Sequence, residues 1–451
     1  MNIAFEISPL LTASGTFGDK SGVYRYIYGL ITSLAKTISQ KNYQSKIILF
    51  TYNRSLLSNF HNLDIFSLLN QKNYIFLNKF YEFRGEPKIG TSIKKISFKS
   101  SLIKFLFKLI DKFFHVKIIY NNLREKIHQK QYLKYINDEF KKNNVRIIFN
   151  SETGFYPLKN YKHIITIYDL TPNLFPLYHR SETIDLYQGK IDFAKNYCHG
   201  IICISQSTKK DLLKYYPSFK KKKIIVAYPG INSSINQSIT KEEEKIFDDI
   251  VSFAKKNGQC LSEKKYLLYF GTFEPRKNVI SLVKAFINLQ ESIEIPSGFK
   301  LVLIGGEGWG NTKKITVDYL NENFPIKSKS NIILFNYLSD KYLFTLIKNA
   351  YATVYPSLYE GFGLPVLESM KLGTPVICSN NSSLPEVGGE AVLYFNTNNN
   401  QDLKDKIKLL IGNSRLAKEL SKKGIEQSKK FDWKETAKKL YQFCNDLVKN
   451  N

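Results

Sequence analysis

Two glutamates, Glu360 and Glu368, enclose the run Gly361-Phe362-Gly363-Leu364-Pro365 within the stretch Tyr355 to Met370. The apolar residues Ala352 to Tyr355 before it read as a strand, and Pro365 suits the first turn of a helix. The glycines therefore fall on a strand-to-helix turn. Glycine lets backbone amides come close to a ligand, and a helix starting near Leu364 or Pro365 aims its positive end at the same point, which suits a diphosphate. Carboxylates on both sides accept hydrogen bonds from hydroxyls, so the ligand is expected to carry sugars at its far ends. Alone, either glutamate reads equally well as a solvated surface charge. The whole string is harder to explain as a plain turn.

A second basic feature lies upstream. Arg276 and Lys277 follow the apolar run Tyr266 to Phe270 and Gly271, at the start of a helix, where the helix dipole disfavours cations. A bound anion would relieve that placement, and a guanidinium fork beside a point charge fits a diphosphate. The plain alternative is an exposed basic pair. Asp169, after the run Ile164 to Ile167, has two readings: a site residue, or a helix N-cap before Thr171-Pro172. Gly305 to Gly310 lacks the spacing of a dinucleotide fingerprint, which argues against a nicotinamide enzyme, and no HExxH, GxSxG or Walker A sequence occurs.

These residues need a scaffold of strands with helices between them. Continuous apolar runs at 47–50, 146–149, 164–167, 200–204 and 224–226 predict strands buried on both faces, as in a parallel sheet. A second set is expected at 266–270, 301–304, 332–335, 352–355, 375–378 and 392–394, and a helix from Lys241 to about Lys256. The pattern predicts an α/β protein of two doubly wound, Rossmann-like domains facing a cleft, with ligands at the carboxyl ends of the strands. The expected boundaries are a first domain at 1–235, a linker at 236–262, a second domain at 263–430, and a C-terminal helix at 431–451 packing back towards the first domain.

With 451 residues, 43% of them hydrophobic, the chain can bury two such cores, and global disorder is excluded. The 66 Lys and Arg against 39 Asp and Glu point to anionic partners. Five cysteines without CxxC spacing argue against a zinc site or disulfide framework and fit a reducing cytosol. The N-terminal Asn2 to Ile7 reads as a buried strand rather than a signal peptide. No apolar run approaches the roughly 18 residues of a membrane span, so membrane contact is expected only at the surface. Residues 88–145 carry 14 Lys or Arg against 4 Asp or Glu, and Lys104, Lys108 and Lys112 recur opposite an apolar face. That insertion reads as a core helix with a solvated stripe, as a peripheral membrane-docking helix, or, least well supported, as a nucleic-acid-binding surface.

The string from Tyr355 to Met370 resembles the signature of the family 4 retaining glycosyltransferases (glycosyltransferase group 1), which have the GT-B fold. The resemblance extends to Gly271-Thr272-Phe273-Glu274-Pro275-Arg276-Lys277-Asn278, to Gly305–Gly310, to Gly373–Gly388, and in the first half to Ser21–Tyr26, Asp169–Pro172 and Ile204–Thr208. It covers residues 150–430 almost continuously, 1–40 partly and 52–145 hardly at all. It implies that Arg276 and Lys277 neutralise a donor diphosphate, with Gly271 in the same segment. Amides at Gly361, Phe362, Gly363 and Leu364 would complete the phosphate site. By the same likeness Glu368 holds ribose hydroxyls, Glu360 holds hydroxyls of the transferred sugar, and Gly22 lets the acceptor side close over the diphosphate.

One position departs from the pattern: Tyr168 stands before Asp169, where many relatives have a His. A Tyr donates a hydrogen bond but does not take up a proton near neutral pH. The expectation is a retaining, metal-independent hexosyltransferase of surface polysaccharide synthesis, with no bound cofactor. Its donor is a nucleotide-diphosphate sugar, and its acceptor a glycan or lipid-linked glycan. The Gly-Trp-Gly turn and Pro-Arg-Lys-Asn block look most like bacterial mannosyltransferases, which implies GDP-mannose. A cytoplasmic protein, possible on an anionic membrane face, is the matching location. The competing reading is a non-catalytic nucleotide-sugar or glycan-binding subunit.

Overall fold

The computed structural model of the chain describes residues 1–13, 22–40, 45–62, 74–77, 114–231, 235, 239–323 and 331–449. The first sheet is built from β1 (Asn2–Glu6), β2 (Ile47–Phe50), β3 (Tyr74–Phe76), β4 (Val145–Asn150), β5 (Lys162–Ile167), β6 (Cys198–Cys203) and β7 (Lys223–Val226), in the order β3-β2-β1-β4-β5-β6-β7. The second contains β8 (Tyr266–Phe270), β9 (Lys300–Ile304), β10 (Ile332–Phe335), β11 (Ala352–Tyr355), β12 (Val376–Ser379) and β13 (Leu393–Phe395), ordered β10-β9-β8-β11-β12-β13. The described pairings are parallel, for example Leu268 against both Val302 and Thr353. Helices connect the strands, so both sheets are Rossmann-like, as the uninterrupted apolar runs predicted.

Those runs are buried because each strand carries packing on two faces: Ile147, Ile148, Phe149, Leu301, Val302 and Leu303 are all fully inaccessible. β3 has only three residues and escaped prediction, since so short a run shows no period. The helix Lys241–Lys256 forms at its expected bounds because Thr240 and Glu243 make a reciprocal capping box.

By density of contacts the chain separates into Met1–Ile165 with Tyr197–His199 and Cys444–Asn451, and Thr166–Asn196 with Gly200–Phe443. In the first unit the helix Phe114–Lys142 buries Tyr132, Ile136 and Phe140, one face at four-residue spacing, and Phe140 meets Phe50 edge-on at 4.9 Å. This part of the basic insertion is thus a core helix. Lys104, Lys108 and Lys112 lie outside the described residues. Among the described residues no helix is long and apolar enough to cross a membrane.

In the second sheet the chain moves outward from β8 through β9 to β10, then returns to the other side of β8 with β11. The reversal places a crevice beyond the carboxyl ends of β8 and β11, where ligands of such sheets bind.

Candidate functional site

The segments following β8, β9, β11 and β12 meet at that reversal, and all belong to the second unit. After β8 the chain passes Gly271 into a short 3-10 turn, Pro275–Lys277, then through Asn278 in the left-handed region (φ 52°) into the helix Val279–Glu291. The turn presents Arg276 and Lys277 to the loop after β11. Arg276 Nε lies 2.8 Å from Glu274 Oε2, and its Nη1 donates to Glu360 Oε2 at 3.1 Å and to the Tyr359 carbonyl at 3.2 Å. Lys277 Nζ reaches Glu360 Oε1 at 2.5 Å, where the Ser357 hydroxyl also donates at 2.8 Å.

Two carboxylates and two cations therefore neutralise one another in a small buried cluster. Burial works against the charged form of Glu360, but Lys277 and Arg276 more than offset it and hold the carboxyl at about 2. Burial likewise opposes the charge on Arg276, and Glu360, Glu274 and Asp169 outweigh it, pushing the guanidinium above its ordinary value. The unfavourable position of two cations before a helix, which the sequence reading assigned to a bound anion for relief, is relieved inside the protein by Glu274 and Glu360. The side chains of Arg276 and Lys277 still keep 16% and 13% exposure.

The loop after β11 is tied down from behind. Glu360 N donates to Ser382 Oγ at 2.9 Å, and the Ser383 hydroxyl donates to the carbonyls of Glu360 and Phe362 at 2.8 and 2.7 Å. Gly363 then adopts φ 109°, a conformation that disfavours side chains, and caps the helix Leu364–Lys371 with no side-chain hydrogen bond to its first amides. Arg276 and Lys277 bind Glu360, three residues before the capping Gly363. Glu368 is buried one turn inside this helix, close enough to Tyr355 to act on its charge.

Gly361 also makes a close approach. A Cβ there would lie 2.4 Å from the Tyr168 carbonyl oxygen and 3.0 Å from Asp169 Cβ, so only glycine lets the loop lie on the backbone following β5. Thr208 Oγ1 fastens the same contact, donating to the Tyr168 and Gly361 carbonyls at 3.1 and 3.3 Å. Asp169 Oδ1 accepts from Thr171 N at 3.0 Å and Thr171 Oγ1 at 2.7 Å, a local turn that starts the helix Thr171–Leu174, whose capping position is Leu170. Asp169 is therefore not the helix N-cap, a position taken by Leu170, but it sets the turn before the helix and its charge acts on Arg276. The Tyr168 ring lies under Lys190 Nζ, 5.1 Å from its centroid.

The structure brings Glu360, Arg276, Lys277, Asp169, Gly271, Gly361, Phe362, Gly363, Leu364 and Glu368 into this one unit. Gly22, in the other unit, opens the helix Gly22–Gln40 and is exposed. Sequence reasoning gave no role to Glu274, Ser357, Tyr359 or His179. The alternation of charge in Glu274-Pro275-Arg276-Lys277 and the scarcity of histidine, six in the chain, were the available signals.

Comparison with known proteins gives matches of sequence and fold. Residues 252–427 match the family model for glycosyl transferases group 1. The O-antigen chain mannosyltransferase B of Escherichia coli is 26% identical over 287 residues, 63% of this chain and 71% of the relative. The serotype-specific mannosyltransferase WbdA of the same organism is 28% identical over 242 residues, where the match spans 52% of this chain but only 27% of that longer protein. Among solved structures, sucrose-phosphate synthase from Thermosynechococcus elongatus superposes with a TM-score of 0.63 at 17% identity, each chain covered completely, a likeness of GT-B fold alone. The match to the group 1 glycosyl transferases therefore covers the second sheet and its helices, residues 252–427, including the loop at the reversal of that sheet.

Proposed function

We propose that the chain is a retaining mannosyltransferase that needs no metal ion, moving mannose from GDP-mannose to a glycan or lipid-linked glycan of a surface polysaccharide. The observation that carries this reading is the uncapped start of the helix Leu364–Lys371 beside Arg276 and Lys277. Backbone amides and two cations suit the growing charge on a departing nucleoside diphosphate without a metal. The mannosyltransferase names among the relatives support the choice of sugar.

In this reading Glu368 takes the ribose hydroxyls of the donor. Glu360 Oε1 is filled by Lys277 and Ser357, so a hydroxyl of the transferred sugar is received by Oε2. The anomeric carbon loses its bond to the phosphate oxygen, and that oxygen accepts the proton of the incoming acceptor hydroxyl. The acceptor oxygen then bonds the carbon on the face just vacated, which retains configuration. Tyr168 is not required to move a proton. Gly271 and Gly22 have room-making roles on the donor and acceptor sides respectively.

Thermal unfolding with a panel of nucleotide sugars tests the reading, since a ligand at 100 times its Kd stabilises the folded state by about 2.7 kcal/mol. GDP-mannose is expected to stabilise the protein and to be hydrolysed slowly, in EDTA as well as in buffer. No response to any nucleotide sugar overturns the proposal. Binding without hydrolysis or transfer leaves the non-catalytic subunit, the reading that Tyr168 favours.

A further inference from the structure

His179 ends the 3-10 turn Pro176–Tyr178, ten residues beyond Asp169. Both of its ring nitrogens are buried, and among the described residues no protein group hydrogen-bonds either one. The charges that act on the ring are those of Asp169 and of Arg276 and Glu274, two members of the cluster after β8. Its ring centroid lies 5.7 Å from that of Trp309, with the planes tilted by 53°. Trp309 is itself held near the cluster, because the preceding Gly308 packs so tightly that a Cβ there would fall 2.8 Å from Glu274 Cγ.

We propose that His179 hydrogen-bonds a hydroxyl of the hexose carried by the nucleotide-sugar donor, with Trp309 closing the side of that sugar subsite. The inference rests on the donor reading given above. Burial lowers the proton affinity of the imidazole, so near neutral pH it carries one N–H donor and one acceptor nitrogen. Leaving both buried without partners is unfavourable, and the ligand that repairs this must both donate and accept. A phosphate diester oxygen accepts only. A sugar hydroxyl does both. In the donor reading Arg276 holds the diphosphate, and its charge acts on the His179 ring, so the sugar meant is the hexose next to that diphosphate.

The test compares GDP and GDP-mannose binding by calorimetry for the wild type, His179→Phe, which keeps a ring against Trp309, and His179→Gln, which restores a donor and an acceptor. If the wild type responds to UDP-glucose instead, the UDP and UDP-glucose pair is used. His179→Phe is expected to weaken the nucleotide sugar about tenfold and to leave the free nucleotide unchanged. His179→Gln is expected to recover part of the loss. Wild-type binding of the nucleotide sugar by His179→Phe overturns the proposal, as does equal weakening of nucleotide and nucleotide sugar. A wild type that binds and hydrolyses donor while His179→Phe matches it refutes this inference alone; a wild type that binds no nucleotide sugar refutes the donor reading as well.

Discussion

Lys277 Nζ and Glu360 Oε1, 83 positions apart in the chain, lie 2.5 Å from each other in a site where both side chains are largely buried. In the proposed donor reading, binding and fold stability share the same charges. Removing one partner strands the other, whereas removing both leaves no uncompensated charge.

Lys277→Ala is expected to destabilise the protein by about 3 kcal/mol, the range for breaking a buried pair, as well as weakening the donor. Lys277→Met combined with Glu360→Gln should recover much of the stability and none of the donor affinity. Denaturant unfolding and donor titration, run on the single and double variants, check this. A single variant as stable as the wild type would show that the pair is solvated.

The carboxyl of Glu360 sits at about 2 in the folded protein against an ordinary 4.5. A depressed value means that the contribution is fully present above about pH 5 and is lost as pH falls towards 2. It amounts to roughly 3 kcal/mol, taking 1.36 kcal/mol for each pH unit. Denaturant midpoints should fall between pH 5 and pH 3 more steeply for the wild type than for Glu360→Gln. Parallel curves would remove Glu360 as a source of acid sensitivity.

Gly361→Ala places a methyl where the Tyr168 carbonyl stands. The loop must shift, at a cost of about 1 to 3 kcal/mol, typical of an overpacked contact. Gly412→Ala, with open space at its Cβ position, is the control and should be nearly silent. Thermal midpoints of the two variants decide the matter; comparable losses would mean that residue 361 has room.

The two glutamates should separate by ligand. Glu368→Gln is expected to weaken GDP and GDP-mannose alike by about 1.5 to 3 kcal/mol, the range for a hydrogen bond to a charged group. Glu360→Gln should spare GDP and impair GDP-mannose, because a group that touches only the sugar discriminates only ligands that differ there. Identical profiles for the two variants would contradict the assignment.

The sequence alone determined every strand but the short β3, since a run such as Leu301 to Ile304 must be buried on both faces wherever it falls. It also determined the helix Lys241–Lys256, whose capping box lies three residues apart, and the glycine turn before Leu364. These are local features, written in neighbouring residues. Tertiary structure decided what Arg276 and Lys277 face: their partner Glu360 lies over eighty residues away, so a pair read as free for a ligand proved to be neutralised within the protein. His179 belongs to the same class, since Trp309 and Arg276 reach it only through the order of strands in the fold. Periodicity reports burial and spacing reports local turns, but the partner of a buried charge is fixed by which loops the sheet brings to one edge.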